Sequence, residues 1–326
     1  MSIASATILR LFREAGSGFV SGELISRELQ ISRTAVWKHI KGLRDAGYIV
    51  EAIPSRGYHL LSSTDILSVD EVREKLSTAR IGRHLVCLPE TASTNADAFR
   101  LAEAGAEEGM TVIADAQSGG KGRRGRVWSS PAGVNLYCSV VLRPAILPHE
   151  APQLTFLSAV AVARAIEKTT ALKPEIKWPN DVLINGRKVA GLLNEMSAET
   201  DGINFVILGI GINLNMRLLQ FPADLRSPAT SLLLEQGHPV NRAQFAARVL
   251  GELDCLYADF LQHGFGPVRG EWQQRCNANG RMVVVSEAGL ESVRGLFDGV
   301  DGDGALLVRF PDGTVERILN GDVKVV

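Results

Sequence analysis

The segment that most constrains how this chain can fold is Gln117-Ser118-Gly119-Gly120-Lys121-Gly122-Arg123-Arg124-Gly125-Arg126-Val127-Trp128, with four glycines and four cations between two apolar runs. Val112-Ile113-Ala114 leads into it, and Val134, Leu136, Tyr137, Val140 and Val141 follow. That context predicts a loop joining two strands of a buried sheet. Glycine lets the backbone approach a ligand closely, while Lys and Arg supply the charge and donors that a carboxylate or phosphate needs. A basic run alone is usually a solvated loop; its place between apolar strands marks this one for binding. It is not a P-loop, because G-x-x-x-x-G-K-[ST] is absent and Gly122 follows Lys121.

A chain of 326 residues is long enough for two or three domains. Its net charge of -1 gives no global basicity, so any nucleic-acid contact must be local. The N-terminal residues lack a basic stretch followed by an apolar core, and no window approaches ~18 uninterrupted apolar residues. A cytoplasmic protein with no membrane partner is expected. Cys87, Cys138, Cys255 and Cys276 form no C-x-x-C pair and read as buried reduced thiols, and the scattered histidines predict no dedicated metal site.

Ser5 is placed to cap a first helix bearing Ile8, Leu9, Leu11 and Phe12, and Ser21 a second bearing Leu24, Ile25 and Leu29. Ser32 caps a third in which Val36, Ile40 and Leu43 bury one face, leaving Arg33, Lys38, His39, Lys41 and Arg44 on the other. Tyr48 to Ile53, the turn Pro54-Ser55-Arg56-Gly57, and Tyr58 to Leu61 then predict a hairpin. Helix, short turn, basic helix and hairpin make the plan of a winged helix-turn-helix over residues 1–64. Eight Lys and Arg against five acids leave this stretch positive. Ser32, Arg33, Thr34, Trp37, Lys38 and Lys41 on the third helix, with Arg56 on the hairpin, are the candidate DNA contacts. Ser62-Ser63-Thr64-Asp65 reads as a linker into a helix near Ser68 to Leu76.

In Glu90-Thr91-Ala92-Ser93-Thr94-Asn95-Ala96-Asp97, Thr94 with Asp97 fits a capping box opening a helix. Ser93, Thr94 and Asn95 at a helix start also suit a neutral polar ligand head. Gln153 to Lys168 predicts an apolar helix. Asn185-Gly186 between apolar runs predicts a two-residue hairpin, with Leu183 opposite Lys188. Asp181 then points to the same face as Lys188 and within its reach, with small Ala190 beside them. A surface ion pair on a solvated hairpin is the plain alternative. Phe205 to Leu214 reads as a buried strand; its Gly209-Ile210-Gly211 lacks the third glycine of a dinucleotide fingerprint, and packing is its default explanation, with Asn213 the one polar candidate. Met216 to Thr230 reads as a surface loop able to close over a ligand. From Arg281 onward, short strands Met282–Val285, Val293–Phe297, Ala305–Phe310, Thr314–Ile318 and Val323–Val326 fit a small barrel with no catalytic constellation.

A cationic glycine loop, a Lys and Asp on one hairpin face and capped polar groups suit a carboxylate attacking the α-phosphorus of a nucleotide, chemistry that positioning and charge neutralisation carry without a protein nucleophile. Here the chain resembles a known family, the bifunctional biotin protein ligase and biotin operon repressor. The likeness runs from the helix-turn-helix through Ser93-Thr94-Asn95, Gly120 to Arg126, Lys177-Trp178-Pro179-Asn180-Asp181 and Arg187-Lys188-Val189-Ala190-Gly191 to the terminal strands. It implies an α+β chain: a winged helix-turn-helix at 1–64, a mixed α/β ligase domain akin to class II synthetases at 65–270, and a small SH3-like β-barrel at 271–326. It also implies ATP, biotin and Mg²⁺, formation of biotinyl-adenylate, transfer of biotin to one lysine of a carboxyl-carrier protein, and an adenylate-bound homodimer on operator DNA.

By the same resemblance Ser93, Thr94, Asn95 and Gln117 hold biotin, with Lys121, Gly122 and Arg123 closing over it and Lys188 at its carboxylate. Lys188, Arg123 and Asp181 are the catalytic set, and Arg124, Arg126, Trp128, Lys177, Asn180 and Asn213 attend the nucleotide. One departure stands out: family members usually read G-R-G where this chain has Gly120-Lys121-Gly122, and lysine lacks the planar guanidinium fork. A lipoate ligase, or a sensor that binds ligand without turnover, are the two alternatives.

Overall fold

In the computed structural model, residues 3–326 are described except 17, 46, 63–64, 201, 224, 226–227 and 287–291. Two compact units emerge, residues 1–66 and 67–326. Of the expected linker, Ser63 and Thr64 lie outside the described residues.

The first unit holds α1 (Ile3–Ala15), α2 (Gly22–Leu29), α3 (Arg33–Asp45) and a hairpin of β1 (Ile49–Ile53) with β2 (Gly57–Ser62). Ser21 caps α2 by accepting from Leu24 N–H at 3.0 Å, and Ser32 caps α3 by accepting from Ala35 N–H at 3.2 Å. Ser5 instead falls inside α1, which begins before it. Ile8, Leu9, Phe12, Val20, Ile25, Val36, Ile40, Leu43, Tyr48 and Val50 close one small core. The hairpin is tied back by the pair Val20–Tyr58. A Cβ on Gly57 would stand 2.3 Å from the Val20 carbonyl oxygen, so only glycine fits that close crossing.

The second unit is built on a seven-stranded sheet. Its members in chain order are α4 (Val69–Lys75), β3 (Leu85–Thr91), α5 (Thr94–Glu103), β4 (Thr111–Gln117), β5 (Leu136–Leu142), α6 (Gln153–Thr169), β6 (Glu175–Lys177), β7 (Asp181–Ile184), β8 (Arg187–Glu199), β9 (Gly202–Ile212), α7 (Leu232–Gln236), α8 (Arg242–His263) and α9 (Gly266–Arg275). Spatial order is β3-β4-β5-β9-β8-β7-β6; only β3 and β4 run parallel. Helix α6 buries nearly its whole length against one sheet face, with α8 and α9 completing that layer. The other face carries α5 over a smaller core of Ala98, Ala102, Val112, Val141, Phe205 and Ile207, with the site beside it.

Five further strands follow: β10 (Met282–Ser286), β11 (Val293–Val300), β12 (Leu306–Arg309), β13 (Val315–Ile318) and β14 (Asp322–Val325). They pair antiparallel in the order β13-β12-β11-β10-β14, with β13 and β14 at the two edges. Val283, Val285, Phe297, Val300, Leu306 and Val308 share the apolar core of the large sheet. Trp178 Nε1 donates to the Gly304 carbonyl at 3.1 Å and Gln153 Nε2 to that of Gly302 at 2.8 Å, which fastens these strands to the body. Among the described residues no helix is long and apolar enough to cross a membrane. Of the cysteines, Cys138 and Cys276 are buried and Cys87 half-buried; Cys255 corrects the expectation, since it lies exposed on α8. Desolvation pushes the Cys87 and Cys276 thiols up to about 12 and the Cys138 thiol higher still, so all three stay protonated and inert at neutral pH.

Candidate active site

The pocket floor is made of glycines. β9 presents Gly209 and Gly211, and β8 presents Gly191, side by side in register. A Cβ on Gly211 would stand 2.7 Å from the Trp128 ring, one on Gly191 2.9 Å from it, and one on Gly209 2.2 Å from Asn95 Oδ1. Alternate glycines in a buried strand therefore mean close approach of other groups, rather than the plain packing that the strand's apolar pattern suggested. Changing Gly209 to Ala forces Asn95 off its partners; by the resemblance to biotin ligases we expect affinity for biotin at this cluster to fall about tenfold, the value of one or two lost hydrogen bonds. Calorimetry on that variant checks this, and unchanged affinity contradicts it.

At one end of the floor, the start of α5 gathers the first polar cluster. Ser93 is the N-cap residue but its hydroxyl makes no capping bond, and Asp97 accepts from Thr91 Oγ1 and Arg100, so the predicted Thr94–Asp97 capping box does not form. Thr94 is thereby free of helix duty. Its backbone N–H and Oγ1 donate to Gln117 Oε1 at 2.8 and 3.2 Å, and Gln117 Nε2 donates to Ser130 Oγ at 3.0 Å. Ser139 Oγ lies 2.8 Å from Thr94 Oγ1 and 2.6 Å from Asn95 Oδ1, while Asn95 Nδ2 donates to the Leu193 carbonyl and to Glu195 Oε2. Ser93, Lys121 and Glu195 line a cavity of about 360 Å³ beside this cluster. Ser139 and Glu195 were missed from sequence, because one polar residue in an apolar strand carries no signal of its own.

The second cluster comes from the β7–β8 hairpin. Leu183 does pair with Lys188, but an irregularity after Val182 sets Ala190 against Val182 and Gly191 against Asp181. Ala190 is consequently turned into the core, and Gly191 takes the floor position expected for it. Lys188 Nζ stands 2.6 Å from Asp181 Oδ1, and both side chains are largely withdrawn from solvent. This is the partly buried pair, not the solvated one. The approach is off-line for a hydrogen bond, which leaves Asp181 Oδ1 without a directional partner. Lys188 Nζ also lies 5.3 Å from the centre of the Trp128 ring, whose Nε1 is buried and unpartnered.

Between the clusters runs the basic loop, folded as a tight hairpin. Gly122 N–H donates to the Arg126 carbonyl at 2.7 Å and Trp128 N–H to that of Gly120 at 2.9 Å, with Arg124 at φ 57 turning the tip. Arg123 Nη1 points at Asn180 Oδ1 (3.5 Å) and Nη2 donates to Asn320 Oδ1 (3.2 Å); Arg126 Nη2 lies 2.7 Å from Asp322 Oδ2. Asn320, in the turn before the last strand, and Asp322, at the start of that strand, lie where the sequence offered no candidate. Burial and then the Arg124 charge hold the Arg123 pKa below its ordinary value, but it remains a cation at neutral pH.

Burial works to raise the Asp322 carboxyl, and the Arg126 hydrogen bond with the Arg126, Arg124 and Arg123 charges outweighs it, so its pKa sits below the usual carboxylate range. With the folded value depressed, the pairing is present above the ordinary Asp pKa and lost only as pH falls through the lower folded value. Amide exchange over 121–127 should therefore be slower in wild type than in Asp322→Asn at both neutral and mildly acidic pH; equal exchange contradicts this hold on the loop.

Of the remaining candidates, Lys177 stands opposite Asp181 in register, and Asn180 Nδ2 donates to the Leu192 carbonyl at 2.7 Å, bracing the floor. Asn213 is buried, with Nδ2 donating to the Thr230 carbonyl and Oδ1 accepting from Asn135, so its side chain is committed within the fold. In the first unit the cap residue Ser32 and, on α3, Arg33, Thr34, Trp37, Lys38 and Lys41 are exposed, and Arg56 stacks on Phe19 with 4.2 Å between guanidinium carbon and ring centre.

Residues 87–213 match the biotin/lipoate A/B protein ligase family, and residues 5–59 match an HTH domain. The bifunctional ligase/repressor BirA of Bacillus spizizenii is 40% identical over 322 residues, covering 98% of this chain and 97% of that protein. That of Escherichia coli is 33% identical over 312 residues, covering 95% and 94%. Among solved structures, the biotin protein ligase from Aquifex aeolicus in complex with biotin and ATP superposes with TM-score 0.64 at 30% identity, covering 75% of this chain and 99% of that one.

Proposed function

The chain belongs to the family of bifunctional ligase/repressors, and we infer from this that it is a biotin–[acetyl-CoA-carboxylase] ligase and a DNA-binding repressor. The observation that carries the ligase reading is the Lys188–Asp181 pair beside a glycine floor, with the arginine loop next to it. ATP and biotin are its substrates. A biotin carboxylate oxygen bonds to the α-phosphorus as the bond to the β-phosphate oxygen breaks and pyrophosphate leaves. The acceptor lysine amine of the biotin carboxyl carrier protein then attacks the carbonyl, loses a proton and displaces AMP.

In this reading Ser93, Thr94, Asn95 and Gln117 receive the ureido head, a neutral group with donors and acceptors that match hydroxyl and amide partners. Lys121, Gly122 and Arg123 close over it. Lys188 and Arg123 neutralise the carboxylate and α-phosphate, which repel one another until they are flanked by cations. Arg124, Arg126, Trp128, Lys177 and Asn180 face the nucleotide, and Asn213 supports that side through Thr230. Mg²⁺ would arrive on the triphosphate and meet the Asp181 carboxylate, whose Oδ1 already faces the Lys188 ammonium at 2.6 Å. When bound it neutralises phosphate charge.

We assign residues 1–64 as a winged helix-turn-helix with β1–β2 as the wing, 65–270 as the class II synthetase-like body, and 271–326 as an SH3-like barrel. The exposed face of α3 enters the major groove and Arg56 reaches the backbone or minor groove. Dimerisation in the adenylate-bound state supplies two half-sites. Promoter DNA from the host's biotin-synthesis genes, followed by fluorescence anisotropy, should bind tightly only with biotin and ATP both present; binding indifferent to the two ligands contradicts the repressor part. Competition between biotin and lipoate for pyrophosphate release separates this activity from a lipoate ligase.

A further inference from the structure

Lys188 sits where β9 has run out, and a different segment takes over as its neighbour. Its backbone N–H donates to the Pro228 carbonyl at 2.8 Å, and the Lys188 carbonyl accepts from Thr230 N–H at 2.8 Å, so residues 228–230 flank β8 as a short parallel pairing. The lysine is thus fixed by β7 on one side and by the exit of the 213–230 segment on the other. One carboxylate joins the two. Glu235 in α7, with its side chain 2% exposed, lies 2.7 Å from Arg187 Nη2. It also accepts from Thr230 Oγ1 at 2.5 Å and from Asn185 Nδ2 at 2.8 Å. Asn185 and Arg187 bracket the turn immediately before Lys188, and Thr230 ends the segment beside it.

None of this is needed to make the local elements. Ser231 already caps α7 by accepting from Leu234 N–H at 3.2 Å. The turn has φ 51 at Asn185 and φ 72 at Gly186, the type I′ form that closes a hairpin unaided. A buried carboxylate without such a duty is costly unless its partners repay it, and these partners belong to the two pieces of chain that hold Lys188. We propose that Glu235 is a positioning residue for Lys188: it fixes the turn against the 228–230 segment and so sets where Nζ stands relative to Asp181 and the reacting phosphorus. This rests on the role given to Lys188 above.

The test uses the full chain and reads pyrophosphate release under saturating biotin and ATP, with biotin binding measured by calorimetry. Glu235→Gln should lower kcat about tenfold to a hundredfold, the scale of a small misplacement of a reacting group. Biotin affinity and KM should stay within about twofold. In a Lys188→Ala background the same change should cause no further loss, because the two act as one unit. Glu235→Asp, which keeps the charge but shortens its reach, should show the same pattern and carries the test if Glu235→Gln does not fold. Wild-type kcat in both variants, or a loss that simply adds to that of Lys188→Ala, overturns the inference while leaving the ligase reading in place. No pyrophosphate release from wild type overturns both.

Discussion

Lys188→Ala should slow adenylate formation about a hundredfold to a thousandfold and leave biotin binding intact. The ammonium lies 2.6 Å from Asp181 and faces Trp128, and no other Lys comes from the β7–β8 hairpin to take its place. In the proposed reading biotin's ureido and tetrahydrothiophene rings go to the Thr94–Gln117–Ser139 end of the floor, where Thr94 bonds to Gln117 and Ser139 and Lys188 takes no part. The charge on the α-phosphate oxygens and the carboxylate must be neutralised as they approach, and removing one donor aimed at developing charge costs about 2.7–4 kcal/mol, or roughly 10²–10³ in rate. A change confined to kcat marks an interaction made in the transition state. Pyrophosphate release and calorimetry on the same preparation separate the two; wild-type turnover refutes the role.

Arg123→Gly should form the adenylate and lose it early. In the folded loop this guanidinium bridges Asn180 of the body and Asn320 before β14, so one side chain ties the loop over the floor. Glycine removes both ties and adds backbone freedom at a loop that already has four glycines. Two hydrogen bonds to a charged group are worth about 1.5–3 kcal/mol each, which shortens the adenylate's residence by at least about tenfold. Free adenylate reacts with any exposed amine, so biotin on bystander proteins is the expected readout. Adenylate held as long as in wild type would refute the clamp.

The elements with a strong period were legible: the cap and buried stripe of α3, the β1–β2 hairpin, α6, and the Asn185-Gly186 turn that brings Asp181 to Lys188. The site was legible where it is made of charge and glycine in one stretch. It was illegible where function depends on registers between distant strands. A single irregularity after Val182 exchanged Ala190 for Gly191 on the floor, and nothing in the spacing announces it. Thr94 looked like half of a capping box, yet Gln117 and Ser139 compete for its hydroxyl and win. Asn320 and Asp322 lie about two hundred residues from the arginines they hold, beyond the reach of any local pattern. Glu235 was silent for the same reason: its partners at 185, 187 and 230 meet only in the folded chain.

The central claim is that this pocket joins biotin to AMP. Pyrophosphate released by the wild-type chain, measured with ATP alone, biotin alone and both together, tests it most directly. The account predicts release only with both, and release about a hundredfold to a thousandfold slower from Lys188→Ala under the same conditions. Release that does not depend on biotin, or that runs at the wild-type rate in Lys188→Ala, would contradict it.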